Sequence, residues 1–464
     1  MEDNTKLHAD VLVIGFGKGG KAVAARMGHA GKNVVLVERS DRMYGGTCPN
    51  VGCVPTKALV HHAGKRRPGD SAQEWYERSV GQVEALTSLF RAGNYDGLNG
   101  MDTVRVVTGH ATFIDSHTVE VDSEGSRSTV SGDTVLINTG SEPVIPDVPG
   151  LKDSKYLLTS AELLYTTVLP RRLAIIGGGY LGLEFASIYR RFGSEVTLLE
   201  GSPRILGRED DDIADAVQTI LTEEGIDIVT GARILEVRDN SEDATVLFEV
   251  GGDKRNVNVD ALLVAAGRRP VTEGLGLEAA GVETTDRGAV MVDKFLRSSQ
   301  PHIFALGDVN GGPQFTYISL DDGRIVLDQL IGEGRRNTED RVAVPQTLFI
   351  TPPLATVGLT ESEARRTGRK IKIASQPVAE IVAMPRAYVV EETRGMMKFI
   401  VDVDTDEILG AALLSTDAQE LINIVALAMR QGVTAAELRD AIYTHPSSTE
   451  AFNDVLSTII RSDQ

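Results

Sequence analysis

The stretch Ala9-Asp10-Val11-Leu12-Val13-Ile14-Gly15-Phe16-Gly17-Lys18-Gly19-Gly20 decides how the rest of the chain is read. A strand-like run enters a glycine-rich turn, and Lys21–Met27 continues as a helix. A turn of this kind lets the backbone approach a pyrophosphate and sets the phosphates on a helix N-terminus, where unpaired N–H groups and the dipole favour anions. A second strand over Asn33–Val37 ends in Glu38, an acid able to accept from a ribose hydroxyl, with Arg39 beside it. The glycines alone carry little weight. Strand, turn, helix, strand and acid in this order predict a dinucleotide site built on Gly15, Gly17, Gly20 and Glu38.

The unit recurs. Leu173–Ile176 leads into Gly177-Gly178-Gly179-Tyr180-Leu181-Gly182, a helix carries Glu184 to Arg190, and Glu195–Leu199 ends in Glu200. First glycine to terminal acid is 23 positions in both copies, from 15 to 38 and from 177 to 200. Two such sites mean two nucleotides, and an electron relay between them is the economical reading. Glu200 can bond the 2′-hydroxyl of NADH and repels the 2′-phosphate of NADPH, so NADH is expected, with nearby Arg204 softening the preference.

The only two cysteines lie between the units, in Gly45-Gly46-Thr47-Cys48-Pro49-Asn50-Val51-Gly52-Cys53-Val54-Pro55-Thr56-Lys57. The segment reads as loop entering helix, and a helix start stabilises a thiolate. Two thiols in reach of each other, one acidified, form a dithiol/disulfide couple; a structural disulfide is the alternative. Two cysteines do not supply four soft ligands, and no histidine pair with finger spacing follows, so no metal site is expected.

At 464 residues the chain should divide into two to four domains, and 42% hydrophobic with 24% charged residues supports packed interiors. A net charge of −19 argues against nucleic acid and anionic lipid as partners. The start Met1-Glu2-Asp3-Asn4 lacks a secretory pattern, and no run of about 18 apolar residues suggests a membrane span. A cytoplasmic chain is expected, where a stable structural disulfide is disfavoured and redox catalysis gains.

With the cysteine pair set between two nucleotide units, the chain resembles the pyridine nucleotide–disulfide oxidoreductases, FAD enzymes that include dihydrolipoamide dehydrogenase, glutathione reductase and mercuric reductase. The resemblance covers essentially the full length. It includes the cysteine segment with Gly46 and Thr47, the strand ends Thr139-Gly140 and Ala266-Gly267-Arg268, and Ala305-Leu306-Gly307-Asp308. Further on stand Thr351-Pro352-Pro353, Val357-Gly358-Leu359-Thr360 and His445-Pro446-Ser447-Ser448-Thr449-Glu450. It implies an α/β fold of two Rossmann-like dinucleotide-binding domains, for FAD and NAD, plus a C-terminal α+β dimerisation domain. The expected divisions are 1–149 and 271–341 for the FAD and central parts, 150–270 for the NAD(P)H domain and 342–464 for the interface domain. Asp417-x-x-Glu420 and Thr434-x-x-Glu437 read as capping boxes in that last part. Leu421, Val425 and Ala428 give the first helix an apolar stripe, and Gly432 ends it.

The resemblance also implies roles. Gly15, Gly17, Gly20, Glu38, Arg39, Gly46, Thr47, Thr139, Gly140, Gly307 and Asp308 would hold FAD. Gly177, Gly179, Tyr180, Gly182, Glu200, Gly267 and Arg268 would serve the nicotinamide nucleotide, with Tyr180 as a lid over the flavin. Cys53 would lie against the flavin as the charge-transfer thiolate and Cys48 would attack substrate. Lys57 would approach the flavin paired with Glu184. His445, oriented by Glu450, would act from the other subunit of a homodimer as general acid/base, since a histidine ordinarily titrates near about 6.5. Ser447-x-x-Glu450 also reads as a capping box for the last helix.

Several stretches are closer to the bacterial reactive-chlorine-resistance flavoproteins: Ile14–Lys18, Met43–Cys48, Pro55–His61, Gln314–Asp322 and Tyr443–Ser447. Tyr44 stands where lipoamide enzymes typically have Leu. That branch reduces hypothiocyanous acid and Cu(II), and a small diffusible oxidant is the expected substrate. Pro49 departs from the aliphatic residue usual after the first cysteine. Dihydrolipoamide dehydrogenase is the alternative; a mercuric reductase, lacking here a C-terminal cysteine pair, or a non-turnover redox sensor is a second one. His61 and His62 read as helix-surface residues before copper ligands.

Overall fold

The computed structural model describes residues 6–459. Its first sheet places Val104–Thr108, Val34–Glu38, Lys6–Ile14, Ser126–Ile137 and Ile303–Ala305 side by side in that order, all parallel. Helix Lys18–His29 makes the first crossover and packs against helix Thr316–Ile331. Strands covered on both faces need apolar side chains throughout, and Val34–Glu38 is buried along its whole length. The hairpin His110–Phe113 and Thr118–Ser123 extends the sheet antiparallel to the start of Ser126–Ile137. Register aligns Ile14 with Val37 and Ile137, and Ile137 with Ala305. The strands therefore end on one edge, and the loops starting at Gly15, Asn138 and Leu306 share one crevice, where open parallel sheets bind ligands.

The second sheet repeats the plan. Asp227–Val229, Glu195–Leu199, Arg172–Ile176, Ala261–Val264 and Leu157–Leu158 run parallel, with an antiparallel ribbon of Arg233–Asp239, Ala244–Val250 and Asp253–Val259 beside them. Gly15 and Gly177 hold equivalent corners, at φ +97° and +115°. A Cβ there would stand 2.4 Å from the Asn138 carbonyl oxygen or 2.5 Å from that of Ala265, so both corners require glycine. Helix Tyr180–Phe192 lies at the centre of the molecule, its Phe185, Tyr189 and Phe192 fully buried. Each such side chain contributes about 1.5–3 kcal/mol by burial. The Tyr189 hydroxyl stays satisfied, bonding Tyr76 at 2.8 Å and donating to the Leu163 carbonyl at 2.8 Å.

Five antiparallel strands, Gln346–Leu348, Leu354–Gly358, Ile408–Leu414, Met396–Asp402 and Ile371–Pro377, form the C-terminal sheet, with helix Ala418–Gln431 packed on it. Leu421, Val425 and Ala428 are buried as their spacing predicts, and Gly432 ends the helix at φ +66°. The Asp417 capping box does not form. Asp417 is left-handed at φ +60°, and its carboxylate accepts from the Ser448 hydroxyl at 2.8 Å and pairs with Arg386 at 3.3 Å. Tertiary partners have won the side chain that local pattern assigned to the helix. Thr434 and Glu437 make the full reciprocal box. At Ser447 only half exists: Glu450 accepts from the Ser447 N–H at 2.8 Å, while the Ser447 hydroxyl finds no partner.

Candidate active site

Cys48 lies in a short helical turn, Thr47–Val51, and Cys53 opens helix Cys53–Ala63, so the segment expected as loop is already helical at the first thiol. Asn50, fully enclosed between them, fastens the turn: its amide donates to the Gly46 and Tyr44 carbonyls at 2.8 and 3.0 Å and accepts from Arg91 at 2.9 Å. Both cysteines are free thiols. Cys53 Sγ is 3.6 Å from Thr316 Oγ1, and Thr316 is the first residue of the helix Thr316–Ile331. Two helix starts thus converge on one sulfur. The donating Cys48 thiol, then the Thr316 hydroxyl and Lys57, bring the Cys53 thiol down to about 6 against the opposite pull of burial. Cys48, donating to Cys53 and partly buried, is pushed far up. The dithiol therefore keeps its negative charge on Cys53.

Lys57 Nζ meets Glu184 Oε2 at 2.7 Å and stands 4.7 Å above the Phe349 ring. The other Glu184 oxygen accepts from the Phe349 N–H at 3.0 Å, and the carboxylate is buried. The two ions are satisfied only together. On the far side of the cysteines, Lys21 donates to Asn94 at 2.5 Å and to the Gly45 carbonyl at 3.4 Å; burial brings its ammonium down to about 8.

The cysteines open into a cleft of about 1420 Å³ that runs from Gly15, Gly17, Glu38 and Arg39 past Thr139 and Gly140 to Tyr180 and Glu184. Single ligand pockets occupy roughly 300–1,000 Å³, so this one has room for a dinucleotide and a second ring system. Glu38 sits at its end, accepting from the Phe16 N–H at 2.9 Å and the Ser40 N–H at 3.3 Å, with burial holding its carboxyl above the usual range. Asp308 accepts from the Ser141 hydroxyl at 2.6 Å, and Arg268 donates to the hydroxyl and the carbonyl of Ser141 at 2.8 and 2.5 Å. Arg268, grouped in the sequence with the nicotinamide residues, thus faces Asp308 and the first nucleotide's end of the cleft. A long cavity lined by Glu38, Asp308 and the Gly15 corner offers the length and the hydrogen-bonding acids that FAD would need. Gly46 lies within van der Waals reach of Gly17, and Thr47 and Thr139 line the wall.

Of the second set, Tyr180 reaches the cleft, while Gly177, Gly179, Gly182 and Glu200 lie at the carboxyl edge of the second sheet. Glu200 accepts from the Gly178 and Ser202 N–H groups, both at 2.6 Å. Gly140, Gly267 and Gly307 take positive φ at strand ends. Sequence reading missed Asn138 and Asp322. Asn138, buried, accepts from the Gly20 N–H at 2.8 Å and donates to the Leu306 carbonyl at 2.5 Å, tying the first glycine loop to the Asp308 segment. Asp322, buried under Gly307, accepts its N–H at 2.6 Å and is paired with Arg341. Their partners lie more than a hundred residues away or fall outside any local motif.

His445 and Glu450 meet at 2.9 Å through Nδ1 and Oε1, and the Ser447 N–H holds Glu450 below the usual carboxylate range ahead of His445 itself. With Nδ1 engaged, Nε2 points free. The imidazole is 72% exposed and does not line the cleft, so one chain does not bring it to the cysteines. His61 is exposed, and His62 half-buried, their rings edge-on at 5.6 Å.

Residues 9–323 match the family described as pyridine nucleotide-disulphide oxidoreductase, and residues 344–456 match that family's dimerisation domain. The chain belongs to the pyridine nucleotide-disulphide oxidoreductases. Like other members of this family it is an oxidoreductase, for which FAD and NADH or NADPH are the implied cofactors. It is 44% identical to the probable pyridine nucleotide-disulfide oxidoreductase RclA of Escherichia coli K12, over 97% of this chain and 98% of the relative. The solved Cu(II) complex of the HOCl-induced flavoprotein disulfide reductase RclA from Escherichia coli superposes with a TM-score of 0.92 at 43% identity, covering 97% of this chain and 99% of that one. A dihydrolipoyl dehydrogenase of Bacillus subtilis is 35% identical over 98% of this chain and 97% of its own length. The presence of a dimerisation domain makes this family member a candidate homodimer. Among the described residues no helix is long and apolar enough to cross a membrane.

Proposed function

We propose that this flavoprotein disulfide reductase uses NADH and FAD to keep the Cys48–Cys53 pair reduced, and that the pair reduces a small oxidant such as hypothiocyanous acid or Cu(II) in the cytoplasm. The observation that carries the reading is the asymmetry of the thiols: an acidified Cys53 at a helix start, and a half-exposed Cys48 beside it. Near full-length similarity to an HOCl-induced reductase solved with Cu(II) supports the substrate class. FAD, when bound, would supply the two-electron relay from NADH to the disulfide.

The residues of the chain do the rest. Cys48 passes its proton to His445 Nε2 of the partner subunit, which Glu450 orients. The Cys48 thiolate attacks the sulfur of hypothiocyanous acid; a sulfur–sulfur bond forms, the S–O bond breaks and the hydroxide leaves as water with that proton. The Cys53 thiolate then attacks Cys48 Sγ, thiocyanate leaves, and the internal disulfide closes. With copper, two Cu(II) ions would each take one electron from the dithiol. Lys57 and Glu184 fix the floor beside Cys53, and Tyr180 covers the nicotinamide side until NADH enters.

NADH is favoured over NADPH because Glu200 keeps a carboxylate where the 2′-phosphate would go. Arg204, the nearby cation, is engaged by Asp211 and by Asp215 at 3.5 Å. The residue divisions 1–149, 150–270, 271–341 and 342–464 are proposed on the same footing. Free thiols suit a reducing compartment.

Cys48→Ser should leave a flavin that NADH still reduces while turnover with hypothiocyanous acid falls to background; unchanged turnover would sink the dithiol mechanism. Reduced enzyme challenged separately with lipoamide, oxidised glutathione, Hg(II), Cu(II) and hypothiocyanous acid assigns the substrate. Fast reoxidation by lipoamide alone would favour dihydrolipoamide dehydrogenase.

A further inference from the structure

Tyr180 is the first residue of its helix, and its side chain forms part of the cleft wall next to Glu184. Its hydroxyl donates to Glu209 Oε1 at 2.9 Å. Glu209 is outside the cleft and belongs to no glycine or cysteine motif; it precedes helix Asp211–Glu223 in the loop after the second nucleotide unit. That loop is held from the other side. Asp210 accepts from the Glu361 and Ser362 N–H groups at 2.8 and 3.2 Å, and one ammonium, Lys398 Nζ, binds Asp210, Asp212 and Glu361 at 3.2, 2.9 and 2.8 Å. Lys398 is buried on the C-terminal strand Met396–Asp402.

We propose that Glu209 is the latch of a Tyr180 gate, a positioning residue that holds the phenol across the nicotinamide entrance, and that Lys398 anchors this latch to the C-terminal sheet. The proposal rests on the reading that NADH enters the cleft at Tyr180. For the nicotinamide to enter, the Tyr180 hydroxyl must leave Glu209, so every NADH molecule displaces one hydrogen bond to a carboxylate. A binding-competent state populated only in part weakens apparent affinity by that fraction. Opening also strands Glu209 among Asp210 and Glu363, with Tyr180 gone as donor. Burial already raises its carboxyl above the usual range, and the Tyr180 hydrogen bond is what opposes that rise. The open gate therefore takes up a proton at Glu209, and opening becomes easier as pH falls.

The test uses holoenzyme with five variants, Tyr180→Phe, Tyr180→Ala, Glu209→Ala, the Tyr180→Phe/Glu209→Ala double variant and Glu209→Gln, read by stopped-flow reduction of the bound flavin by NADH and by oxygen consumption. Tyr180→Phe and Glu209→Ala should each lower the KM for NADH by about three- to tenfold, the scale of a typical net intramolecular hydrogen bond. Both should raise the leak of electrons to oxygen, while reoxidation of the Glu209→Ala enzyme by hypothiocyanous acid should not change. The double variant should match either single one. Glu209→Gln, which keeps an acceptor, should restore the closed gate and flatten the pH dependence of KM. A Glu209→Ala enzyme with wild-type KM and oxygen leak, or effects that add in the double variant, would overturn the latch. Tyr180→Ala without any effect on reduction by NADH would instead overturn the placement of the nicotinamide at Tyr180.

Discussion

The two dinucleotide units share their sequence spacing and their loop geometry, yet they are packed differently. In both, the acid ending the second strand accepts a loop N–H, Phe16 to Glu38 at 2.9 Å and Gly178 to Glu200 at 2.6 Å. In the first, Glu38 is buried, Asn138 holds the Gly20 N–H, and the Ser319 hydroxyl holds that of Gly19 from a helix three hundred residues on. In the second, Glu200 is only half-buried and the cleft-facing position three residues after the first glycine is Tyr180 rather than Lys18. One turn is locked from several sides and the other faces the Tyr180 ring. On the function proposed above, that is the difference between a resident cofactor and a nucleotide that must come and go each turnover.

The largest break of this comparison comes from the two corners. Gly15→Ala should yield protein without flavin absorbance, since a Cβ at φ +97° meets a backbone carbonyl. Gly177→Ala should retain flavin reducible by dithionite but lose NADH reduction by about a hundredfold or more, the scale of a strained φ plus a clash. Equal loss of both cofactors would dissolve the distinction. Next, Lys398→Met leaves Asp210, Asp212 and Glu361 without their shared cation. Because Asp212 and Glu361 keep contact with water, a cost of about 1–3 kcal/mol in chemical unfolding is expected, below that of a fully buried pair, and an unchanged midpoint would refute the anchor.

The thiol asymmetry sharpens the first unit further, because Thr316 belongs to the helix that packs against it. With Cys53 at about 6, the reduced dithiol holds its thiolate above that pH and loses it as pH falls through it. Thr316→Val removes a donor, so thiolate absorbance should titrate higher by roughly one unit, about 1.4 kcal/mol. No movement would remove Thr316 from the site. An effect of similar size belongs to the second unit: Glu200→Ala should cut the preference for NADH over NADPH by about tenfold, or about 1.4 kcal/mol, measured as the ratio of kcat/KM values.

What sequence reveals here follows how local the signal is. Both glycine units and the thiol pair stand out because each motif packs its chemistry into a few residues, whereas the pairing of Lys57 with Glu184, 127 positions apart, follows from the family pattern alone. Asn138, Asp322, Glu209 and Lys398 were invisible: each acts through partners brought close only by the sheets, as Lys398 gathers acids from two segments before it. Asp417 shows the converse error. Its four-residue pattern is that of a cap, but Ser448 and Arg386 arrive from elsewhere and the local rule yields. His445 keeps its expected carboxylate and lies apart from the thiols within one chain; the proposed homodimer is what would join them.

Strand Ile303–Ala305 completes the first sheet only after the chain has traversed the whole of the second. A ribosome making this protein must therefore deliver the second sheet in full while the first is still missing its last strand. The later-coded sheet can close on its own neighbours, whereas the earlier-coded one has an exposed seam for about 166 residues of synthesis at a pace on the order of 5–20 residues per second. The vulnerable interval in the life of this enzyme is thus its birth, and the first sheet, first to emerge, is finished only after the second.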